Sequence, residues 1–402
     1  MRHVPALSID PPAVLSELLA RADVRFNGTR PWDMRVNDAR LYRRLLTQWS
    51  LGAGEAYVDG DWDCERLDML FDRLLRADLD RTAPGAARLR LLLESLRQRL
   101  FNRQTVARAH QVGERHYDVG NDVFEAMLDS RMIYSCAYWG QARDLEQAQL
   151  DKLEMICRKL ALQPGETLLD IGCGWGGLAR FAAEHFGVRV TGITISKAQL
   201  AVATARCEGW PVTLRLQDYR SLECPEDRRF DKIVSVGMFE HVGLKNYGVY
   251  FDTARRLLAP DGLFLLHTIG VDRRAPHTDP WIERYIFPNG KLPSAQELAG
   301  ALEGRFIVED WHNFGPDYDR TLMCWAERFD AAWARLSAGY DEGFRRMFRY
   351  YLLSCAGFFR SRQGQLWQLV LSGPARREAY RSVRPPWSAA PPAASPAAAG
   401  QR

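Results

Sequence analysis

At 402 residues the chain exceeds the usual size of one domain, so two units are expected. Its 47% hydrophobic and 26% charged residues are those of a globular protein and exclude a wholly disordered or fibrous one. A net charge of +4, were it evenly spread, would be too mild to argue for a nucleic-acid binder, and none is expected; no segment nears the roughly 20 apolar residues of a membrane span, and the start lacks a signal peptide's apolar stretch.

A cytoplasmic location is therefore expected. The eight cysteines are scattered without C-x-x-C pairs, which predicts free thiols and no metal cage. Along the chain, Leu41, Leu45 and Leu46, then Leu67, Leu70, Leu74 and Leu75, recur at helical spacing on either side of SLGAGEAYVDGDWDCERLD. Residues 1–105 read as a small helical domain. Between Arg81 and His110 seven arginines stand against one acid, Glu94. Leu89, Leu93, Leu96 and Leu100 line one face of the same stretch, so it predicts a basic amphipathic helix. Such a helix either packs on its own domain or meets an anionic surface.

From about Leu168 short apolar runs alternate with helical patterns: LLDIG, VRVTGITI, PVTLRL, FDKIVSV and GLFLLHTI. That alternation predicts an α/β fold, a parallel sheet with helices on both faces. Residues 106–373 form the expected catalytic part. The Pro- and Ala-rich remainder, 374–402, has too little apolar bulk to fold and is expected to be a disordered tail.

The segment LLDIGCGWGGLARFA (168–182) is a strand ending at Asp170, glycines at 172, 174, 176 and 177, and then a helix. Glycines allow a sharp turn and close approach to a ligand, and the helix start offers free N–H groups. A dinucleotide site would want an acid after the second strand, where Thr194 and Ser196 stand instead, so NAD is disfavoured. The D-x-G-x-G pattern resembles the first motif of S-adenosylmethionine-dependent methyltransferases. After the third strand, Asp218 can accept from the adenine amine, and Tyr219 beside Gln217 offers a ring for the base.

Longer strings carry a sharper resemblance. HYDVGNDVFEAMLDSRMIYSCAYW (116–139), LDIGCGWGGLA (169–179), FDKIVSVGMFEHVG (230–243), LFLLHTIG (263–270), WIERYIFPNGKLPS (281–294), EDWHNFGPDYDRTLMCWAERF (309–329) and YYLLSCAGFFR (350–360) together resemble the cyclopropane-fatty-acyl-phospholipid synthases. GEAYVDGDWDCERLD extends the match into the helical domain, which the related mycolic acid cyclopropane synthases lack. The resemblance implies a seven-stranded Rossmann-like methyltransferase domain behind a small, mostly helical N-terminal domain, and a homodimer. It implies transfer of a methylene group from S-adenosylmethionine to the cis double bond of phospholipid acyl chains. A bound bicarbonate serves as the base, and the enzyme associates peripherally with the inner membrane face.

By the same resemblance the ion is held by Cys136, Glu240, His267, the backbone of Ile269, and Tyr318. Cys355 is a rival thiol to which we assign a packing or channel role, because the alkene attacks the cofactor directly. The cofactor is implied to meet Tyr134, Ser135, Asp170, Gly172, Gly174, Thr194, Ile195, Ser196, Gln199, Gln217, Asp218 and Tyr219. An ionised Glu240 has no proton to give, so it either accepts the ion's O–H or orients His267. Tyr138, Trp139, Tyr247, Phe287 and Trp311, like Tyr134, are core by default, and an aromatic face among them can stabilise a carbocation. Two other classes are a methyltransferase making branched lipids or acting on a small molecule, and a lipid-binding protein with an inactive methyltransferase domain.

Overall fold

The computed structural model describes residues 10–79, 120–223, 229–275 and 277–385. The expected basic helix, with its arginines 81–108, and the tail beyond 385 lie outside the described residues. Contacts group the described residues within 1–102, 275–288 and 318–364 into one compact unit, and those within 103–274, 289–317 and 365–402 into a second. A single cut near 105 is thus too simple: the chain rejoins the first unit twice.

In the first unit the helices Ala13–Arg21, Arg40–Gln48, Ser50–Val58 and Leu67–Arg76 accompany a short antiparallel pair, β1 (Arg35–Val36) with β2 (Trp62–Asp63). Leu41, Leu45, Leu67 and Leu70 are buried, as their spacing predicts. The glycine- and aromatic-rich stretch between them receives the later segments. A Cβ on Gly54 would meet the Trp281 ring at 2.3 Å, and one on Gly357 would lie 2.7 Å from the Asp68 carbonyl oxygen. Glycine is needed there for close approach. Tyr350, on the helix Glu342–Arg360, packs against Tyr57, Phe71 and Trp281. Arg360 on the same helix pairs with buried Asp68 and with Asp319, and a buried carboxylate needs such partners.

The second unit is an α/β fold around a seven-stranded sheet. Its strands are β3 (Thr167–Ile171), β4 (Arg189–Thr194), β5 (Val212–Leu216), β6 (Phe230–Val236), β7 (Leu258–Val271), β8 (Ile307–Asn313) and β9 (Gly364–Ser372), ordered 5-4-3-6-7-9-8. Pairings from β5 through β7 are parallel, while β8 and β9 are antiparallel. Successive residues point to opposite faces. Leu169, Ile171, Ile233 and Phe264 enter a core with Phe239, Tyr247 and Phe251; Leu168, Val190, Val234 and Leu265 enter another with Ile156, Ala182 and Phe186. Strand order reverses between β3 and β6, so the carboxyl ends of β3, β4, β6 and β7 border the crevice where such sheets bind ligands.

Residues 374–385, expected to be part of a disordered tail, have no helix or strand. They are nonetheless anchored. Tyr380 packs on the second core, and Arg384 donates to both oxygens of Asp310 at 2.5 Å.

Candidate active site

The glycine loop leaves β3 through left-handed backbone at Gly172 (φ +90°), Gly174 (φ +54°) and Gly176 (φ +81°), then enters the helix Gly177–Phe186. A Cβ at Gly172 would strike Met238 at 2.8 Å, whereas one at Gly174 would meet nothing within 4 Å. The loop therefore frames an open cradle at Gly174. Asp170 sits at its base, buried, with Oδ2 lacking a hydrogen-bond partner among the described residues. Burial pushes its carboxyl up to about 7, and the nearby Lys152 ammonium opposes that shift. Lys152 is fully buried, lowered to about 8 by that burial, and donates to Ser135 Oγ at 2.8 Å.

At the end of β4, Thr194 Oγ1 donates to Gln199 Oε1 (3.0 Å) and accepts from the Ser196 amide (3.1 Å). Ser196 caps the helix Lys197–Arg206 by accepting from the Gln199 amide, and Ile195 is half-buried between them. Gln217 donates from its amide to the Thr194 carbonyl (2.9 Å), which ties the end of β5 to that of β4. Asp218 is gripped by Arg220 at 2.8 and 2.6 Å. The Tyr219 ring lies in the core against Tyr250 at 5.3 Å rather than standing free for a base. Tyr134 packs edge-on against Phe124 (5.1 Å) and Trp175 (6.5 Å).

A second cluster forms where β6 and β7 end. Val236 is the register partner of His267, and the Gly237 amide donates to the His267 carbonyl at 3.0 Å. The turn Phe239–His241 that follows presents Glu240, whose Oε1 accepts from the Ile269 amide at 2.7 Å. That N–H, implied for an anion by the resemblance, serves Glu240 here, because a buried carboxylate takes the nearest donor. Glu240 Oε2 is buried without a partner among the described residues. Burial raises the carboxyl from an ordinary 4.5 to about 7, against the pull of the Ile269 amide and Thr268.

His267 is 1% exposed and held well below its ordinary value, first by burial and then by the Lys152 and Lys159 ammoniums. Its Nδ1 lies 3.2 Å from Gln368 Nε2, and its Nε2 has no partner among the described residues. Cys136 is fully buried and donates from Sγ to the Ala137 carbonyl at 3.2 Å. Neither Gln368 nor Lys159 is singled out by motif, although a glutamine inside LWQLVLS is the kind of buried polar residue that calls for a partner.

The remaining expected residues belong to the first unit. Tyr318 stacks on Phe359 at 4.5 Å, on the helices Pro316–Leu336 and Glu342–Arg360. Cys355 is half-buried on the latter, and burial pushes its thiol up to about 12. A thiol protonated at neutral pH is a poor nucleophile. Cys355→Ser is accordingly expected to retain substantial turnover. A folded but inactive variant would refute the packing role. Of the aromatics, Tyr247 stacks on Phe239 (4.3 Å), Trp311 packs on Trp367 (5.2 Å), Tyr138 on Phe314 (5.6 Å) and Phe287 on Tyr351 (5.8 Å), while Trp139 donates its amide to Asp317 (2.7 Å). Among the described residues no helix is long and apolar enough to cross a membrane, and no three acidic, cysteine or histidine side chains gather as a metal set.

The family model for mycolic acid cyclopropane synthetase matches residues 104–369. The chain is 54% identical over 359 residues to the cyclopropane-fatty-acyl-phospholipid synthase of Escherichia coli K12, covering 89% of this chain and 92% of that protein. It is 32% identical over 359 residues to the tuberculostearic acid methyltransferase UfaA1 of Mycobacterium tuberculosis, covering 83% and 82%. Among solved structures it is similar to the mycolic acid cyclopropane synthase CmaA1 complexed with SAH and CTAB, with a TM-score of 0.61, 32% identity, and 65% of this chain and 97% of that one covered.

Proposed function

Since the chain belongs to the mycolic acid cyclopropane synthetase family, we propose that it transfers a methylene group from S-adenosylmethionine to the cis double bonds of phospholipid acyl chains, with a bound bicarbonate as base. When bound, S-adenosylmethionine supplies the one-carbon unit, and bicarbonate supplies a proton acceptor for ring closure. The open cradle at Gly174 and the orphaned Asp170 Oδ2 suit the cofactor's methionine end. One observation carries the assignment of the base: two buried polar atoms, Glu240 Oε2 and His267 Nε2, stand unpartnered among the described residues, their side chains tied two residues apart along β7. A neutral histidine can donate to the anion's oxygen, and the glutamate can accept its O–H. Both side chains are buried, and a buried setting strengthens such hydrogen bonds.

The reaction is tested by mass spectrometry of phospholipids from cells with and without the protein. A gain of one CH2 on monounsaturated chains, resistant to hydrogenation that reduces alkenes, is expected. Chains that gain a methyl and stay reducible would favour a branched product. For the base, turnover in carbonate-free buffer should fall and be restored by added bicarbonate; turnover indifferent to carbonate would remove the ion from the scheme.

Membrane access rests on the arginine block, which lies outside the described residues. Each arginine near anionic lipid contributes roughly 1 kcal/mol. Reversing Arg97, Arg99 and Arg103 to glutamate should therefore weaken flotation with anionic vesicles while leaving S-adenosylhomocysteine affinity unchanged. Light scattering on the same samples reads the proposed homodimer. A folded triple variant that floats as well as the parent at low salt would end the docking reading.

A further inference from the structure

We infer that Gln368 is a positioning residue: held by Lys159, its amide fixes His267 as the tautomer that carries its proton on Nε2. Gln368 sits in the apolar run of β9, beside β7, and is wholly buried. A buried amide there costs stability unless both its ends are engaged. Lys159, the last residue of the helix Leu145–Lys159 and also wholly buried, donates from Nζ to Gln368 Oε1 at 2.8 Å. Burial lowers Lys159 to about 7, and in its protonated form, which the Asp310 carboxylate 3.7 Å away favours, it has donors and no acceptor. The oxygen of the amide therefore faces Lys159, and its NH2 faces His267 Nδ1 at 3.2 Å.

The rest is forced by the chemistry of the ring. Nδ1 must accept from that NH2, and in a neutral imidazole the other nitrogen then carries the proton. Burial first, and then the Lys152 and Lys159 side chains when charged, disfavour the doubly protonated form. His267 thus presents Nε2–H as a donor, the role that the bicarbonate reading needs; the functional consequence rests on that reading. Lys159 is itself braced. Its Nζ also lies 2.9 Å from His312 Nδ1 and 3.7 Å from Asp310 Oδ2, and Arg384 grips Asp310 from the segment that follows β9.

The test uses the full chain labelled with 15N-histidine and a long-range proton–nitrogen correlation spectrum. The His267 signals are identified by their loss in His267→Gln. The parent is expected to show His267 neutral with its proton on Nε2. In Gln368→Glu the carboxylate would accept from both Lys159 and Nδ1–H, so the tautomer should invert and turnover should fall roughly 10- to 100-fold, with S-adenosylhomocysteine affinity unchanged. Gln368→Leu, which removes the amide without adding charge, should populate both tautomers. A parent spectrum with the proton on Nδ1, or a charged His267, would overturn the inference, and that measurement stands even if a variant misfolds. An unmoved tautomer in folded Gln368→Glu would overturn it too. Inversion with unchanged turnover would sustain the tautomer assignment and refute instead His267 as a donor in the reaction.

Discussion

Glu240→Gln should lower turnover by about 100-fold or more, leave S-adenosylhomocysteine affinity unchanged, and make the folded protein more heat-resistant at pH 8. Three facts combine. The side chain lies at the β6–β7 end of the crevice rather than in the glycine loop, so the substitution leaves the residues of the proposed cofactor site unchanged. The variant keeps an acceptor for the Ile269 amide, which now reaches Glu240 Oε1 at 2.7 Å. Burial raises the carboxyl from 4.5 to about 7, so the charged form is the one the fold disfavours.

The sign for stability follows from linkage. Between about 4.5 and about 7 the folded state binds a proton that the unfolded state has released, so stability falls as pH rises through that window. Above it the parent carries the whole penalty, on the order of 3 kcal/mol, and below it none. Glutamine never ionises. The thermal midpoints of parent and variant should therefore coincide near pH 4 and separate by several degrees at pH 8. Parent turnover should fall as pH drops below about 7, where the carboxyl takes its proton. Normal turnover in Glu240→Gln would remove it from the reaction, and a pH-independent gap in midpoints would refute the buried charge.

How much of this was legible beforehand depended on whether the signal was local. Strands β3, β4, β6 and β7 announce themselves because each is a largely buried apolar run bounded by turns, while β5 shows only as the short run VTLRL at a half-exposed edge, and Asp170 with its glycines follows from spacing alone. Strand β8, IVEDWHN, is a half-exposed edge with no alternation to see. The chain's two returns to the first unit depend on contacts such as Gly357 against Asp68, nearly 300 positions apart, which no periodicity encodes. The same holds for Gln368 and His267. Position alone would leave His267 in FLLHTI a core residue; the family resemblance marks it, and its Nε2 has no partner among the described residues, while the Tyr219 ring, read as a ring for adenine, packs in the core. Composition alone makes 374–385 a tail, but one tyrosine and one arginine suffice to tie it down.

Gly174→Val should abolish S-adenosylhomocysteine binding in a protein that still folds. The added side chain enters the cradle: beyond its chain neighbours, no atom of the described residues lies within 4 Å of a Cβ at this position, and the proposed function gives that space to the cofactor. At Gly172 a similar change would strike Met238 and confuse loss of binding with loss of packing. One complication remains at 174, because φ is +54° and a β-branched residue is strained in that region by about 1–3 kcal/mol. Gly165 provides the control. It too has positive φ, +85°, with nothing within 4 Å of an added Cβ, but it lies before β3 in the turn whose amide bonds Gly187. Gly165→Val should therefore show a comparable drop in thermal midpoint with cofactor binding intact, whereas Gly174→Val should show the drop and no heat of binding in calorimetry. If Gly174→Val binds as well as the parent, the cofactor does not lie against this loop. If both variants lose binding, the loss comes from backbone strain and not from the cradle.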